Sequence, residues 1–472
     1  MTYALQKSCG FGQRLFKTVN PSPYLNQLID PNLGLARSTV TIQAIRNDVL
    51  KFGNSTKYDF ANDGYMTMAV NAAYRAFMLP HPVRMIHLND VFTLDLPIWK
   101  SSPGLPWREY GYKTKGELRH DVDAIRQIRK FWHIIKRGDK MHPPDCCAYV
   151  RSHVTDIGES KIRAVWGYPA TLTLGEAVFA IPLIDAYRKC GTPIAYGYET
   201  ALGGMKKLYK EAHGKYFVAI DFSSFDKNVP KYLIDVAFDI FLRNLDLSYY
   251  RDHGVASADR MQIMYNYIRN YFINTPIRLC NGERYKKTSG VASGSYFTQL
   301  VDSVVNYILI TWLTLKCKAS IDWIKVMGDD SIFGTDTLID LDDFQDLAHL
   351  LGMEINIKKS AVSKYLSNLT FLGYQINDGI PSRPLETWMA SLLYPEHPDR
   401  NWDDVASRAL GLLYANAAVT QKFDGLCRMI VSLRPYDLNV SRGMARYLFM
   451  QGIYHLEKEP PDMFYFMSRL HI

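Results

Sequence analysis

Gly328, Asp329 and Asp330 stand between two apolar runs, one ending at Met327 and the other beginning at Ser331. The pattern predicts a hairpin with two adjacent carboxylates at its tip. Like charges side by side cost stability, but they suit one task, the gripping of divalent cations. The glycine supplies the backbone freedom of a tight turn. Alone, such a turn is a common surface feature. It gains meaning only if the rest of the chain supplies partners.

Asp221 is the first partner. It ends the apolar run Tyr216-Phe217-Val218-Ala219-Ile220, a pattern of buried-strand type, and Asp226 follows it. If this strand pairs beside the hairpin, the backbones lie about 4.8 Å apart. Asp221, Asp329 and Asp330 could then share two hard cations about 3.5–4 Å apart and clamp an in-line displacement at phosphorus. Mg²⁺ suits such a site, with Mn²⁺ as a substitute, because it takes few carboxylates and completes its shell with water and phosphate. The competing reading is of unrelated acidic strand ends.

Further candidates surround these. In the apolar segment from Ser295 to about Lys316, Thr298, Asp302 and Asn306 fall on one helical stripe. The stripe either lines a ligand channel or bonds to a neighbouring strand. Ser293 and Gly294 lie in the small-residue loop before it and can expose backbone amides. Lys161 and Arg163 share one face of an expected strand and could meet a triphosphate; a solvated basic face is the blander reading. Lys358 and Lys359 follow the hairpin, and either could protonate a leaving pyrophosphate. No Gly-rich phosphate loop followed by Lys-Ser/Thr occurs, so phosphate binding falls to metals and basic side chains.

A chain of 472 residues needs two or three lobes to bury its apolar content. A hydrophobic share of 47% and a charged share of 22% exclude long disorder. A net charge of +8 admits a polyanionic partner, and 31 Tyr, 22 Phe and 8 Trp suit packed cores or base stacking. Seven scattered cysteines without zinc spacing suggest free thiols in a reducing compartment. Residues 304–315 are the most apolar stretch and too short to span a bilayer, so no membrane contact is expected.

The elements that must position these groups read as follows. Residues 61–90 are expected to be helical, and 116–137 form a basic amphipathic helix. Strands surround Gly158, and helices continue to about residue 212. A helix opens at Pro230 and another spans residues 258–273. After the hairpin come a helix near 341–351, a strand at 353–357, a second hairpin at 369–376, and helices from 384 onward. Residues 1–60 give little away.

In this order the motifs resemble those of viral RNA-dependent RNA polymerases. Asp221-x4-Asp226, Ser293-Gly294-x3-Thr298, Gly328-Asp329-Asp330, Lys358/Lys359 and Phe371-Leu372-Gly373 match motifs A to E. Lys161-x-Arg163 with Trp166-Gly167-Tyr168-Pro169 resembles motif F, and Ser102-Pro103-Gly104-Leu105-Pro106 resembles motif G. The wording of residues 293–303 is similar to partitivirus polymerases, of the small plant cryptic-virus, deltapartitivirus-like kind. The resemblance implies an α+β closed right hand whose palm has an antiparallel sheet with helices on one face. Fingers would occupy 1–214 and an insertion at 231–285, the palm 215–230 and 286–376, and a helical thumb 377–472. It further implies RNA-directed RNA synthesis from NTPs on a double-stranded RNA genome, within the virion and the host cytoplasm, with RNA template and product and a capsid protein as partners. Asp226 would read the ribose 2′-hydroxyl, and Lys161 and Arg163 would hold the triphosphate. Ser293, Gly294 and Thr298 would position template and nucleotide, with Ser102 and Gly104 on the RNA path. One departure is Asp302, where many relatives carry Asn. Two ionised carboxylates do not pair, so ribose reading here needs a proton, a cation or water, or a role for Thr298 or Asn306. A reverse transcriptase and a non-catalytic RNA-packaging capsid-associated protein are the alternatives. Gly328 before the acidic pair, and Asp226, speak against the first.

Overall fold

The computed structural model describes residues 2–12, 15, 21–30 and 33–472. Ten strands matter here: β1 (Tyr3–Leu5), β2 (Cys146–Ser152), β3 (Ile162–Gly167), β4 (Tyr216–Ile220), β5 (Leu245–Tyr250), β6 (Pro276–Arg278), β7 (Arg284–Lys286), β8 (Ile321–Met327), β9 (Asp330–Thr335) and β10 (Ala361–Ser363). One five-stranded sheet runs β1-β7-β6-β2-β3, and one four-stranded sheet runs β8-β9-β4-β10. The first sheet gathers strands from three distant parts of the sequence. The second is antiparallel throughout.

The four-stranded sheet is a partition. Side chains alternate across a strand, and the alternation here feeds two cores. Val218, Ile220, Val326 and Phe333 face the larger core. Ala219 and Ile332 face a second core built largely from C-terminal helices. Both faces are therefore covered, which corrects the expectation of helices on one face only. It also explains why β4 reads as a continuous apolar run.

The helices that bear on the argument are α1 (Ile42–Leu50), α2 (Gly64–Ala76), α3 (Val122–Lys136), α4 (Ala170–Lys189), α5 (Lys231–Arg243), α6 (Ala258–Ile273), α7 (Thr298–Lys316) and α8 (Leu341–Leu350), followed by five helices between Leu385 and Leu470. In α7, Leu300, Val301, Val304, Val305 and Ile308 are wholly buried, as expected of a helix apolar on all sides. Among the described residues, the helix apolar enough to cross a membrane by length and composition is α4, not residues 304–315, and 78% of its apolar window is buried within the protein. All seven cysteines are free.

Three expectations change. The helix expected over 61–90 stops at Ala76; after Pro80 and Pro82 the chain forms a short strand, Val83–Met85, paired in parallel with β5. Residues 353–357 form no strand. Only Ile355 bridges to Phe222, while Asn356 N–H and Asp221 O bond at 2.8 Å, so the segment runs alongside the loop after β4 without joining the sheet. Residues 276–286 supply two strands where none was expected.

Candidate active site

The hairpin closes with Met327 paired to Asp330, leaving Gly328 and Asp329 as a two-residue turn. Gly328 has φ +62°, the left-handed value such turns require. A Cβ there would also press on the Gln299 amide at 3.1 Å. Helix α7 holds the turn from behind. Gly328 N–H donates to Ser303 Oγ (2.9 Å), and Asn306 Nδ2 donates to Gly328 O (3.0 Å).

Ser331 of β9 pairs with Ile220 of β4. Continuing that antiparallel register by one residue sets Asp221 opposite Asp330. Asp221 N–H donates to Ser360 Oγ (3.0 Å), which fixes its backbone against the segment leading into β10. The three acids thus come from separate stretches to one sheet edge. Burial, and then the charges of Asp329 and Asp221, push Asp330 up to about 7. Burial also raises Asp329, with Asp221 adding to the rise and Arg163 opposing it.

Asp226 lies on the turn after Ser224, whose φ of +53° swings the chain away from the strand direction. Burial and the charge of Asp329 raise its carboxyl to about 6. A hydrogen bond from Asp302 works the other way. Asp302 is only 4% exposed; burial, then Asp226 and Asp329, push it well above the usual carboxylate range. These shifts favour the neutral form of Asp302, the form in which it can donate to Asp226 and the two carboxyl groups can pair.

The stripe on α7 bonds to its neighbours. Thr298 Oγ1 donates to Ala292 O (2.6 Å). Asn306 is fully buried beneath the turn. Its amide supports Gly328 from beneath the turn. Beneath the turn, Asp302 Oδ1, Asn306 Oδ1 and Ser331 Oγ have no hydrogen-bond partner among the described residues.

Arg163 on β3 and Lys161 just before it are both exposed. Arg163 is close enough to lower the proton affinity of Asp226 and Asp329. Lys161 is lowered by burial, then by Arg163 and Lys359, with Asp221 opposing. Both cations thus face the acids. Of the two exposed lysines after the hairpin, Lys359 lies within electrostatic reach of Lys161.

The loops around this edge are tied together. Trp166 N–H donates to Ser293 Oγ (3.2 Å). A Cβ on Gly294 would sit 1.9 Å from Trp166 O, so only glycine allows the approach. Gly104 is packed the same way, with φ +68° and a Cβ position 2.8 Å from Pro169 Cα. Ser102 Oγ bonds Tyr149 OH at 2.5 Å, and Lys115 Nζ donates to Ser102 O (2.6 Å) and Tyr168 O (3.3 Å). Gly104 is buried in this packing and shapes the loop.

Sequence reasoning missed two acids. Glu176 on α4 is wholly buried and accepts from Ser295 Oγ (2.7 Å) and Tyr296 N–H (2.9 Å), bracing the entry to α7. A lone Glu inside an apolar helix was the signal that could have found it. Asp48 on α1 pairs with Lys227 and accepts from Ala164 N–H (2.7 Å), joining the loop after β4 to β3. No pattern in residues 1–60 marks it.

The donor set suits a hard divalent cation: clustered oxygen ligands whose mutual repulsion raises their proton affinity. The ligand shell is not closed, however. Among the described residues, no three His, Cys, Asp or Glu side chains are gathered tightly enough to hold a metal ion.

Comparison with known proteins agrees with this geometry. Residues 81–423 match the family model for viral RNA-dependent RNA polymerases. Three similar proteins are each named RNA-directed RNA polymerase. That of Atkinsonella hypoxylon virus is 28% identical over 327 residues, 60% of this chain and 49% of the relative. That of Cryptosporidium parvum virus 1 is 26% identical over 447 residues, 89% of this chain and 82% of the relative. That of White clover cryptic virus 1 is 27% identical over 289 residues, 55% and 46% respectively. In the first and third, the matched region spans about half the relative's length. With most of its length matched by one family model, the chain belongs to the viral RNA-dependent RNA polymerases.

Proposed function

We propose that this chain copies RNA from NTPs for a virus with a double-stranded RNA genome. The observation that carries the reading is Asp221 set opposite Asp330 by the strand register, with Arg163 facing the same edge. In this reading the four-stranded sheet, with residues 215–230 and 286–376, is the palm. The five-stranded sheet belongs to fingers drawn from 1–214 and 231–285, and the helices of 377–472 form the thumb.

Asp221, Asp329 and Asp330 are the residues that would hold divalent cations, magnesium by the chemistry of the donors and manganese as a substitute. Two such cations, when bound, supply the positive charge that favours a 3′-alkoxide and a departing pyrophosphate. The remaining steps belong to the chain. Lys161 and Arg163 draw in the triphosphate and hold it in line. The protonated Asp302 turns Asp226 into an oriented acceptor for the ribose 2′-hydroxyl. As the 3′-hydroxyl gives up its proton to solvent and its oxygen bonds to the α-phosphorus, the bond to pyrophosphate breaks, and Lys359 would give the leaving group a proton. The partners are RNA template and product, with a capsid protein in the virion or host cytoplasm.

The test is NTP incorporation by purified protein on RNA templates, with Mg²⁺ or Mn²⁺. Asp329→Ala should bind RNA as before and lose at least about 100-fold in incorporation, the scale of lost metal-assisted charge stabilisation. Equal incorporation by the variant, or a preference for dNTPs, defeats the reading.

A further inference from the structure

A basic cavity of about 700 Å³ lies between α3, the end of β5 and the start of α6, elements that carry none of the clustered acids. Arg126, Arg129, Lys130, Lys136 and Arg137 line it from α3, and Arg260 faces them from α6. Their spacing puts the α3 cations on one helical face, while Ile128, Phe131, Trp132 and Ile135 bury the other. No carboxylate lines the cavity. Arg126 and Arg137 pair with Asp123 and Asp139, but both pairs are solvent-exposed and weak. Arg129, Lys130, Lys136 and Arg260 have no ion-pair partner among the described residues.

Holding unpaired like charges together is a local cost. Burial lowers the proton affinity of Lys136, and the nearby Arg260 and Arg129 lower it further. A polyanion relieves that cost. Arginine forks suit phosphate oxygens, and the half-buried Tyr250 at the wall offers a ring for a base. From Arg126 to Arg137 the helix rises about 16 Å, longer than a lone triphosphate needs. None of the lining residues belongs to the acidic centre or to the loops tied around it.

We propose that this cavity is a second RNA site, which grips successive phosphates of one strand outside the catalytic groove. It rests on the chain's handling of RNA, but not on any role of the aspartates.

The test compares full-length wild type with a Lys130→Glu/Arg260→Glu variant. The probes are a labelled single-stranded RNA longer than the groove, sodium triphosphate, and polyglutamate. The variant should bind the RNA at least about tenfold more weakly, with a log–log salt slope shallower by about 1.4 for two lost phosphate contacts. Incorporation on a short primer–template should stay at the wild-type rate. Lys130→Gln/Arg260→Gln should weaken RNA binding in the same direction by less, which guards against misfolding of the charge-reversal form. Unchanged affinity and slope in the folded variants overturn the proposal. So does triphosphate competing as well as RNA, which marks a nucleotide site, or polyglutamate binding in preference to RNA, which marks a protein site. Asp329→Ala separates the two readings: it should abolish incorporation and leave the charge-reversal effect on RNA binding intact.

Discussion

A carboxyl group shut in beneath another carboxyl group can take up a proton or a cation, and Asp302 is placed for the first. It is pushed well above the ordinary range by burial and by Asp226, which favours the neutral form that can donate to that neighbour. An amide at this position donates equally well. Asp302→Asn should therefore stay within about tenfold of wild-type kcat/KM, whereas Asp226→Ala should reduce selectivity for NTP over dNTP on the order of 100-fold, because the proposed acceptor for the 2′-hydroxyl is gone. Competing NTP and dNTP incorporation measures both; an equal loss in the two variants would show that the shared proton does not matter. The roles of these residues were only half legible in the sequence. Their positions followed from the motif order, but which carboxyl favours the proton could be read only once the depth of Asp302 was known.

Among the elements, helix α4 carries a group whose ionisation opposes burial. Glu176 rises from 4.5 to about 8, because burial penalises its charged form more than the Ser295 and Tyr296 bonds favour it. The folded state then binds more protons than the unfolded state between these values, so stability falls as pH rises from about 4.5 through 8. Glu176→Gln should remove that fall. Its melting temperature should match wild type near pH 5 and exceed it by about 1–3 °C at pH 8, read by thermal unfolding at both values. The hairpin β8–β9 was legible because a local turn and two apolar runs specify it. Strands β6 and β7 were not, since three residues carry no period, and their outer partners, β2 for β6 and β1 for β7, lie far away in sequence. The 353–357 segment misled because its apolar alternation meets a loop and not a strand edge.

At the scale of the whole molecule, two cores meet at one sheet, and a few buried polar ties hold the loops above it. Asp48 makes one of these, and a lone acid on a half-exposed helix looks like any solvated charge. Asp48→Ala strands Lys227 and frees Ala164 N–H, so it should cost about 3–5 kcal/mol in denaturant unfolding. Lys227→Met in the same chain should restore part of that. The five-stranded sheet has a different consequence, for synthesis. Its order interposes β7 and β6 between β1 and β2, so β1 stays unpaired until the ribosome has made residue 286. At ordinary elongation rates that wait lasts roughly 15–60 s. Throughout it the nascent chain carries bare strand edges, so translation speed and chaperone supply govern how much polymerase a cell recovers.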